Sequence, residues 1–328
     1  MEEKHYSIYS KSITIKSDSR KILKSIDSLI NFFAAKKKVN NPKISLTLSA
    51  SKKFLGKKAD VKLEGKPLFR FDRLCCYKKE NDYFYSDGSS LVFSQPGKGI
   101  SKGYISEKTI NSGRFFSHIF FYIILAEMLR HNGLYYIHSS GVKKNRTSIL
   151  IPGNGGVGKT TISLALVRKG FSYLSDDALL IKKVKNTVFA HPIPGDFHID
   201  PAISQNFKEL TNVRHAVKYG KGPKRSFDPA IFYPDSFVLK SKPNVIMFPQ
   251  IVKKPESRII PLSPAQCLAK LIPNSLLVMT DKKIAGEHLD ALTALSKQCR
   301  AFQLLSGKDL IRKPDKVIEK ILSSIEEK

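Results

Sequence analysis

The chain has 328 residues, of which 41% are hydrophobic, and this is enough for a sizeable core and for two domains. The longest apolar run, residues 115–128, contains Ser117, His118 and Glu127, and it is too short and too interrupted to span a bilayer. We therefore expect a buried helix there and no membrane partner. The four cysteines have no spacing typical of a zinc site, which excludes a zinc finger and predicts reduced thiols in a cytoplasmic protein. They are Cys75, Cys76, Cys267 and Cys299.

The charge is strongly basic, with 56 Lys and Arg against 28 Asp and Glu and a net charge of +28. The excess is mostly lysine spread along the whole length, and it includes no aromatic-rich basic signature of an RNA-binding module. A lysine-rich codon bias explains such a charge without a polyanionic partner. An acidic peptide substrate and a weak nucleic-acid surface are the alternatives, and nothing except charge favours nucleic acid.

The N-terminal third alternates short strand patterns with turns. Strands are predicted at 12–15 and 44–48, and a helix with one apolar face is predicted over 22–33. Further strands at 83–85 and 91–93 are each followed by turn residues. We interpret residues 1–110 as an α+β or β-rich accessory domain that could bind substrate. A helix over 112–131 leads into a second domain, residues 111–328, which we predict to be an α/β nucleotide-binding core.

A phosphate-binding loop follows in the second domain. A buried strand at 148–151, a glycine-rich segment and a helix at 161–168 fit the pattern Gly, four residues, Gly-Lys-Ser/Thr. Backbone N–H groups of such a loop converge on a polyphosphate, and the positive end of the helix points at the same oxygens. The alternative is a glycine turn that merely joins strand to helix. The expected nucleotide-binding residues are Gly153, Asn154, Gly155, Gly156, Val157, Gly158, Lys159, Thr160 and Thr161.

Two adjacent acids, Asp176 and Asp177, stand at the end of the next predicted strand, 171–175. They should therefore arrive beside the phosphate loop. A kinase needs one carboxylate near Mg²⁺ and another that accepts the proton of the attacking hydroxyl. A solvated turn is the structural alternative for such a pair.

The segments 137–141, 153–160 and 170–177 together resemble the catalytic core of HPr kinase/phosphorylase. They resemble more closely the broad group of HPr-kinase-related proteins of bacterial biosynthetic clusters. The loop and the acid pair are also similar to those of ATP-dependent phosphoenolpyruvate carboxykinase. The resemblance implies an HPr-kinase-like fold of the second domain, ATP and Mg²⁺ as cofactors, and functional roles for His138, Asp176 and Asp177. Within that resemblance we favour Asp176 as the base and place Asp177, together with Thr160, beside the metal. The alternative for His138 is a packed histidine at the end of a strand.

The sequence departs from true HPr kinase/phosphorylases because no Arg-Gly-Leu-Gly signature follows the acid pair. The resemblance therefore gives no reason to expect HPr as substrate or the reverse reaction. Those enzymes are hexamers, and an oligomer is compatible with this sequence.

Residues 201–242 show little periodicity and are predicted to form a lid or another solvated basic loop. In a lid, Arg225 or Lys224 could neutralise charge on the transferred phosphoryl group. His191 or His198 could line an acceptor pocket. The last third of the chain is expected to flank the sheet and to contribute no catalytic residue. Its predicted elements are strands at 245–248 and 302–305, helices at 265–271 and 285–298, and a final helix after Pro314.

These features together predict an ATP-dependent kinase. Lys159 would bind the outer phosphates, Thr160 would bind Mg²⁺, and the acid pair would activate a hydroxyl. The resemblance implies a Ser or Thr of a small protein or peptide as the acceptor. A small-molecule alcohol and a non-catalytic nucleotide-binding regulatory protein are the alternative interpretations.

Overall fold

The computed structural model describes residues 1–51, 65–210, 216–219 and 222–326, and it is a mixed α/β protein with several sheets. Two compact units divide the chain. Unit 1 contains residues 1–133 and 279–284, and unit 2 contains residues 134–278 and 285–328. Across the described ranges, no helix has both the length and the apolar character needed to cross a membrane. All four cysteines are free and buried.

Unit 1 is built on one mixed sheet whose strand order is β1-β2-β3-β8-β7-β6-β5-β4. The pairs β2–β3 and β3–β8 are parallel, and the other neighbours are antiparallel. The strands are β1 (Glu2–Ile8), β2 (Lys11–Ser17), β3 (Ile44–Ser51), β4 (Phe69–Phe71), β5 (Leu74–Lys79), β6 (Asp82–Ser86), β7 (Leu91–Gln95) and β8 (Ile100–Ser106). The helices are α1 (Arg20–Ile30), α2 (Glu107–Ile110), a π-helical stretch (Phe115–Phe121) and α3 (Tyr122–Arg130).

Helix α1 forms where the apolar spacing predicts it. The Ser19 side chain caps its first turn by accepting a hydrogen bond from the Ile22 N–H, and the apolar face of the helix is buried. The helical segment from 115 to 130 also belongs to unit 1, where its phenylalanines are buried and where it contacts α1. The predicted boundary at 110/111 therefore differs from the structural one at 133/134, because this apolar helix completes the core of the first unit.

A short segment from the C-terminal half of the chain, residues 279–284, returns to unit 1. The Asp281 carboxylate accepts hydrogen bonds from the Tyr83 hydroxyl and from the Lys78 ammonium, the latter at 2.7 Å. The buried Arg130 guanidinium donates to the Thr280 hydroxyl at 3.1 Å and forms a two-point ion pair with Glu127. The network of unit 1 thus depends on side chains from a distant part of the sequence.

Unit 2 contains a six-stranded sheet of order β12-β10-β11-β18-β20-β19 and two three-stranded sheets, β14-β13-β9 and β15-β17-β16, among the residues described. Its strands are β9 (Tyr135–Ile137), β10 (Ser139–Lys144), β11 (Thr147–Pro152), β12 (Ser172–Ser175), β13 (Leu179–Val184), β14 (Thr187–Pro192), β15 (Phe197–Ile199), β16 (Ala216–Tyr219), β17 (Gly222–Phe227), β18 (Val245–Ile251), β19 (Arg258–Leu262) and β20 (Arg300–Ser306). The helices that follow residue 134 are α4 (Lys159–Arg168), α5 (Pro201–Ser204), α6 (Pro229–Phe232), α7 (Pro264–Leu271), α8 (Lys282–Gln298), α9 (Asp309–Arg312) and α10 (Pro314–Glu326).

Three neighbouring parallel strands, β11, β18 and β20, form the centre of the large sheet. Their side chains form two buried apolar clusters, one of which includes α4 and α10 and the other α7 and α8. Strand β12 lies at one edge and is antiparallel to β10. In such sheets ligands bind beyond the carboxyl ends of the parallel strands, so the loops after β11, β18 and β20 define where a site can form.

The described residues within 201–242 have more regular secondary structure than predicted. They contain α5, α6 and two strands, β16 and β17, which pair with each other, while β17 also pairs with β15. Residues 211–215 and 220–221 of the predicted loop lie outside the described residues. The predicted strands 148–151, 245–248 and 302–305 are confirmed as parts of β11, β18 and β20.

Candidate functional site

The predicted phosphate loop connects β11 to α4. Gly158 caps α4 with a φ of 99°, and Gly156 has a φ of 88°, which are conformations that side chains other than glycine rarely adopt. A Cβ at Gly153 would lie 2.8 Å from Cγ2 of Val157, so this turn also needs glycine. The glycine spacing of the motif therefore follows from the backbone path of the loop.

Lys159, the first residue of α4, is 6% exposed, and its ammonium lies inside the loop. Nζ donates to the carbonyl oxygens of Gly153 at 2.6 Å and of Asn154 at 3.3 Å, and it lies 3.5 Å from the Asp177 carboxylate. Burial lowers the pKa of Lys159, and the Asp177 and Asp176 carboxylates oppose that effect. The ammonium therefore occupies a position where a more negative ligand would be strongly favoured.

His138 connects this lysine to the acid pair. Its Nε2 lies 2.7 Å from Oδ1 of Asp177 and 2.9 Å from Nζ of Lys159. Nε2 of an imidazole carries either a proton or a lone pair, so it can donate to the carboxylate or accept from the ammonium, but it cannot do both. One of the two contacts is therefore unfavourable in any single protonation state. A ligand that draws Lys159 away would leave His138 free to donate to Asp177.

Asp176 follows β12 and is buried, at 5% exposure. Oδ2 accepts from the Thr160 hydroxyl at 2.9 Å and from the His198 N–H at 3.3 Å. The Ser140 hydroxyl donates to the Asp176 carbonyl oxygen and lies 3.4 Å from Oδ1. Burial, followed by the neighbouring Asp177 charge, raises the pKa of Asp176 to about 6, although the bond from Thr160 and the charge of Lys159 act against this shift.

Asp177 differs from its neighbour because 42% of its side chain is exposed. Its carboxylate faces His138 and Lys159, whereas the Asp176 carboxylate faces Thr160. The two acids are adjacent in sequence but contact different partners. Each therefore has its own chemical environment, which includes Lys159 for Asp177 and Thr160 for Asp176.

A cavity of about 200 Å³ opens over the loop. Its lining includes both aspartates, His138, His198 and Lys224. It also includes apolar residues at or beyond the ends of β18 and β20, namely Ile251, Leu310 and Ile311. The lining residues are His138, Gly155, Gly156, Gly158, Lys159, Thr160, Thr161, Asp176, Asp177, His198, Ile199, Asp200, Ile203, Lys224, Ile251, Ser306, Gly307, Leu310 and Ile311.

Most of the predicted residues line this cavity, but Gly153, Asn154, Val157 and Arg225 do not. Arg225 contacts a different residue. Its guanidinium donates to the Ser204 hydroxyl at 2.9 Å, and Lys224 lines the cavity instead, because successive residues of a strand point to opposite faces. Of the two histidines considered for an acceptor pocket, His198 lines the cavity. His191 is buried elsewhere, and burial lowers its pKa to about 4.

Sequence reasoning missed Ser140, which contacts Asp176, and the residues contributed by the C-terminal third. Ser140 lies two residues after His138 in the segment 137–141, so its nearness in sequence to His138 is the signal that could have found it. The C-terminal residues were predicted to have no part in the site, yet Ile251, Ser306 and Leu310 line the cavity. Their signal is positional, because Ile251 and Ser306 end strands parallel to the loop strand and Leu310 lies shortly after the second of them.

The described residues contain no group of three or more His, Cys, Asp or Glu side chains that could hold a metal ion by itself. The Thr160 hydroxyl and the Asp176 carboxylate are hard oxygen ligands 2.9 Å apart, and they fit a Mg²⁺ whose remaining ligands are waters and phosphate oxygens. This donor set is typical of metal sites that form together with a nucleotide substrate.

Comparison by sequence finds no matching family model and no similar curated protein. Comparison of structures finds the HPr(Ser) kinase/phosphatase from Coxiella burnetii, which is 16% identical to this chain. The similarity covers 58% of this chain and 89% of that one, with a TM-score of 0.32. A TM-score this low carries no argument about fold or function, so the functional conclusion depends on the geometry of the site.

Proposed function

We propose that this chain is an ATP-dependent kinase with an HPr-kinase-like core, which transfers the γ-phosphate to the hydroxyl of a Ser or Thr in a peptide or small protein. The observation that carries the proposal is the contact of Lys159 and Thr160, at the start of α4, with the two carboxylates that follow β12. Phosphoryl transfer requires a loop that binds the phosphates and, in the same cavity, two carboxylates in different environments, one for the metal and one for the acceptor hydroxyl.

The triphosphate would bind along the loop, with its oxygens accepting hydrogen bonds from backbone N–H groups at the start of α4. Lys159 would exchange the carbonyl oxygens of Gly153 and Asn154 for phosphate oxygens, which carry more negative charge. Its burial strengthens that interaction because less water competes with it.

Asp177 is the base in this proposal. It is the more exposed of the two acids, so an acceptor hydroxyl can reach it, and His138 orients its carboxylate through the 2.7 Å contact. Asp177 takes the proton of the hydroxyl while the hydroxyl oxygen forms a bond to the γ-phosphorus. The bond from that phosphorus to the β–γ bridging oxygen breaks, and ADP leaves with its electron pair.

Asp176 is the metal-side acid, which reverses the division of roles expected from the resemblance. Its carboxylate already accepts from the Thr160 hydroxyl and the His198 N–H, and its burial keeps an acceptor hydroxyl away. Mg²⁺ bound there would neutralise charge on the β- and γ-phosphates. Of the two basic residues predicted to neutralise the phosphoryl charge, Lys224 takes that part, because it lines the cavity and its charge acts on Lys159.

The basic charge of the chain is compatible with an acidic peptide as the acceptor. The test uses the full chain with γ-labelled ATP, Mg²⁺ and an arrayed peptide library that presents Ser and Thr hydroxyls in acidic and neutral contexts. We expect label on peptides, with acidic contexts preferred.

Two matched substitutions test the roles. Asp177→Asn should abolish phosphoryl transfer, and it should change the dissociation constant for ATP by less than about threefold. Asp176→Asn should raise the Mg²⁺ concentration needed for half-maximal rate at least about tenfold. Transfer to small alcohols alone would replace the peptide acceptor, and ATP binding without transfer to any hydroxyl would identify a non-catalytic nucleotide-binding protein.

A further inference from the structure

We propose that the end of the cavity opposite the aspartates, formed by Ile251, Ser306, Leu310 and Ile311, binds the nucleobase and ribose of the nucleoside triphosphate. The proposal rests on the proposed function only in placing a triphosphate on the loop. It names a binding site in the C-terminal third of the chain, where the sequence shows no nucleotide motif.

The order of the sheet sets the direction of the ligand. The strand that leads to the aspartates, β12, lies on one side of the loop strand β11, and β18 and β20 lie on the other. The reacting γ-phosphate must be next to Asp177, so the rest of the nucleotide must extend past Thr161 toward β18 and β20. Ile251 ends β18 and Ser306 ends β20, and the two residues are register partners.

Apolar side chains at this end are exposed without another explanation. Ile251 is 60% exposed and Ile311 is 47% exposed, yet both line the cavity. Leu310 is buried, and its Cδ2 lies 3.3 Å from the position that a Cβ at Gly158 would occupy. A buried leucine next to the phosphate loop and two exposed isoleucines that line the same cavity suit the faces of a flat aromatic base.

Ser306 adds a polar group to this apolar end. It is 1% exposed, and its Oγ has no hydrogen-bond partner among the described residues. A buried hydroxyl without a partner is unfavourable, so a ligand atom that bonds to it gains affinity. A ring nitrogen, an exocyclic group or a ribose hydroxyl can each provide that bond.

The loop after β20 is held in place before any ligand binds. Asp309 accepts hydrogen bonds from the Ser257 N–H at 2.8 Å and from the Ser257 hydroxyl at 2.6 Å. The Ser257 hydroxyl in turn accepts from the Gly307 N–H at 3.0 Å. A Cβ at Gly307 would lie 2.5 Å from a backbone atom of Glu256, so the segments pack closely. A preorganised site loses little entropy on binding.

The test compares the dissociation constants of Mg·ATP and of Mg·tripolyphosphate, measured by calorimetry on the full chain. Wild type should bind ATP at least about tenfold more tightly than tripolyphosphate, which has the phosphates without the base. The double variant Ile251→Ser/Ile311→Ser should lose about tenfold in ATP affinity, equal to about 1.4 kcal/mol, and less than twofold for tripolyphosphate.

Two single variants sharpen the result. Ser306→Ala should weaken ATP about fivefold and leave tripolyphosphate unchanged. The control Ile260→Ser changes an isoleucine of similar exposure, 44%, that does not line the cavity, and it should affect neither ligand. Because the substituted isoleucines are exposed, a folding defect is not expected, and circular dichroism checks this.

The outcomes separate this inference from the kinase proposal. If wild type binds ATP no more tightly than tripolyphosphate, or if the double variant binds ATP as wild type does, the nucleobase site is overturned while the phosphate loop remains. Tight, variant-sensitive ATP binding without transfer to a hydroxyl would support the nucleobase site and contradict the kinase. If wild type binds neither ligand, both proposals are overturned.

Discussion

Asp176→Asn should make the unliganded protein more stable at neutral pH. The pKa of Asp176 is about 6 in the folded protein, against 3.8 for an ordinary aspartate. An acid whose pKa is raised on folding destabilises the folded state once it must ionise. At 1.36 kcal/mol for each pKa unit, the difference of about 2.2 units corresponds to about 3 kcal/mol as an upper estimate.

The pH window follows from the same two values. Below pH 3.8 the carboxyl is protonated in both states and contributes nothing. Between about pH 4 and pH 6 the unfolded chain ionises first, so the free energy of unfolding of wild type falls relative to that of the variant. Above about pH 6 the difference stays constant near its maximum. The neutral amide of Asn can still accept the hydrogen bond from Thr160.

The assay is urea unfolding of the ligand-free protein at several values between pH 4.5 and pH 8, followed by fluorescence and circular dichroism. Glu287→Gln, on the exposed side of α8, controls for the loss of one negative charge. The variant should gain about 1.5 kcal/mol at pH 5 and up to about 3 kcal/mol at pH 8. A difference that does not change with pH, or a variant less stable than wild type at pH 8, would refute the reasoning.

Two further predictions concern other parts of the chain. Lys224→Ala should lower kcat about 100-fold, because its charge lies at the reacting end of the cavity. Arg225→Ala should change kcat less than about threefold and should lower stability by about 1 kcal/mol, because the bond to Ser204 is lost. Steady-state kinetics and thermal unfolding measure the two effects, and equal losses of kcat in the two variants would contradict the assignment. Gly103→Ala in β8 should destabilise unit 1 by about 3 kcal/mol, because the new Cβ would lie 2.3 Å from the Leu91 carbonyl oxygen. Thermal unfolding measures this loss, and a Tm within about 1 °C of wild type would contradict the close approach.

The strand, glycine loop and helix around residues 148–168 could be predicted because their signals are local. Gly158 and Lys159 lie in one short motif, and α4 follows it directly. The same holds for α7, where Ser263 and Gln266 form a reciprocal cap at the predicted start. Such features depend on residues that are neighbours in the sequence.

The missed features depend on pairing between distant segments. Strand β17 contains Gly222 and Pro223, which predict a loop, and it forms a strand because β15 and β16 pair with it. The separate environments of Asp176 and Asp177 depend on His138, Thr160 and His198, which come from other segments of the chain, and no local pattern reveals these contacts. The apolar lining of the cavity likewise joins the loop at 153–160 to Ile251, Leu310 and Ile311, which are distant from it in the sequence.

The return of residues 279–284 to unit 1 has a consequence for fragment design. Cutting the polypeptide after residue 133 would strip Lys78, Tyr83 and Arg130 of hydrogen bonds that Thr280 and Asp281 supply. A truncated N-terminal piece would then lack the Asp281 carboxylate that accepts hydrogen bonds from Tyr83 and Lys78, and it should express poorly. A hybrid that joins residues 1–133 to the hexapeptide 279–284 through a flexible linker is the smaller piece that we expect to fold.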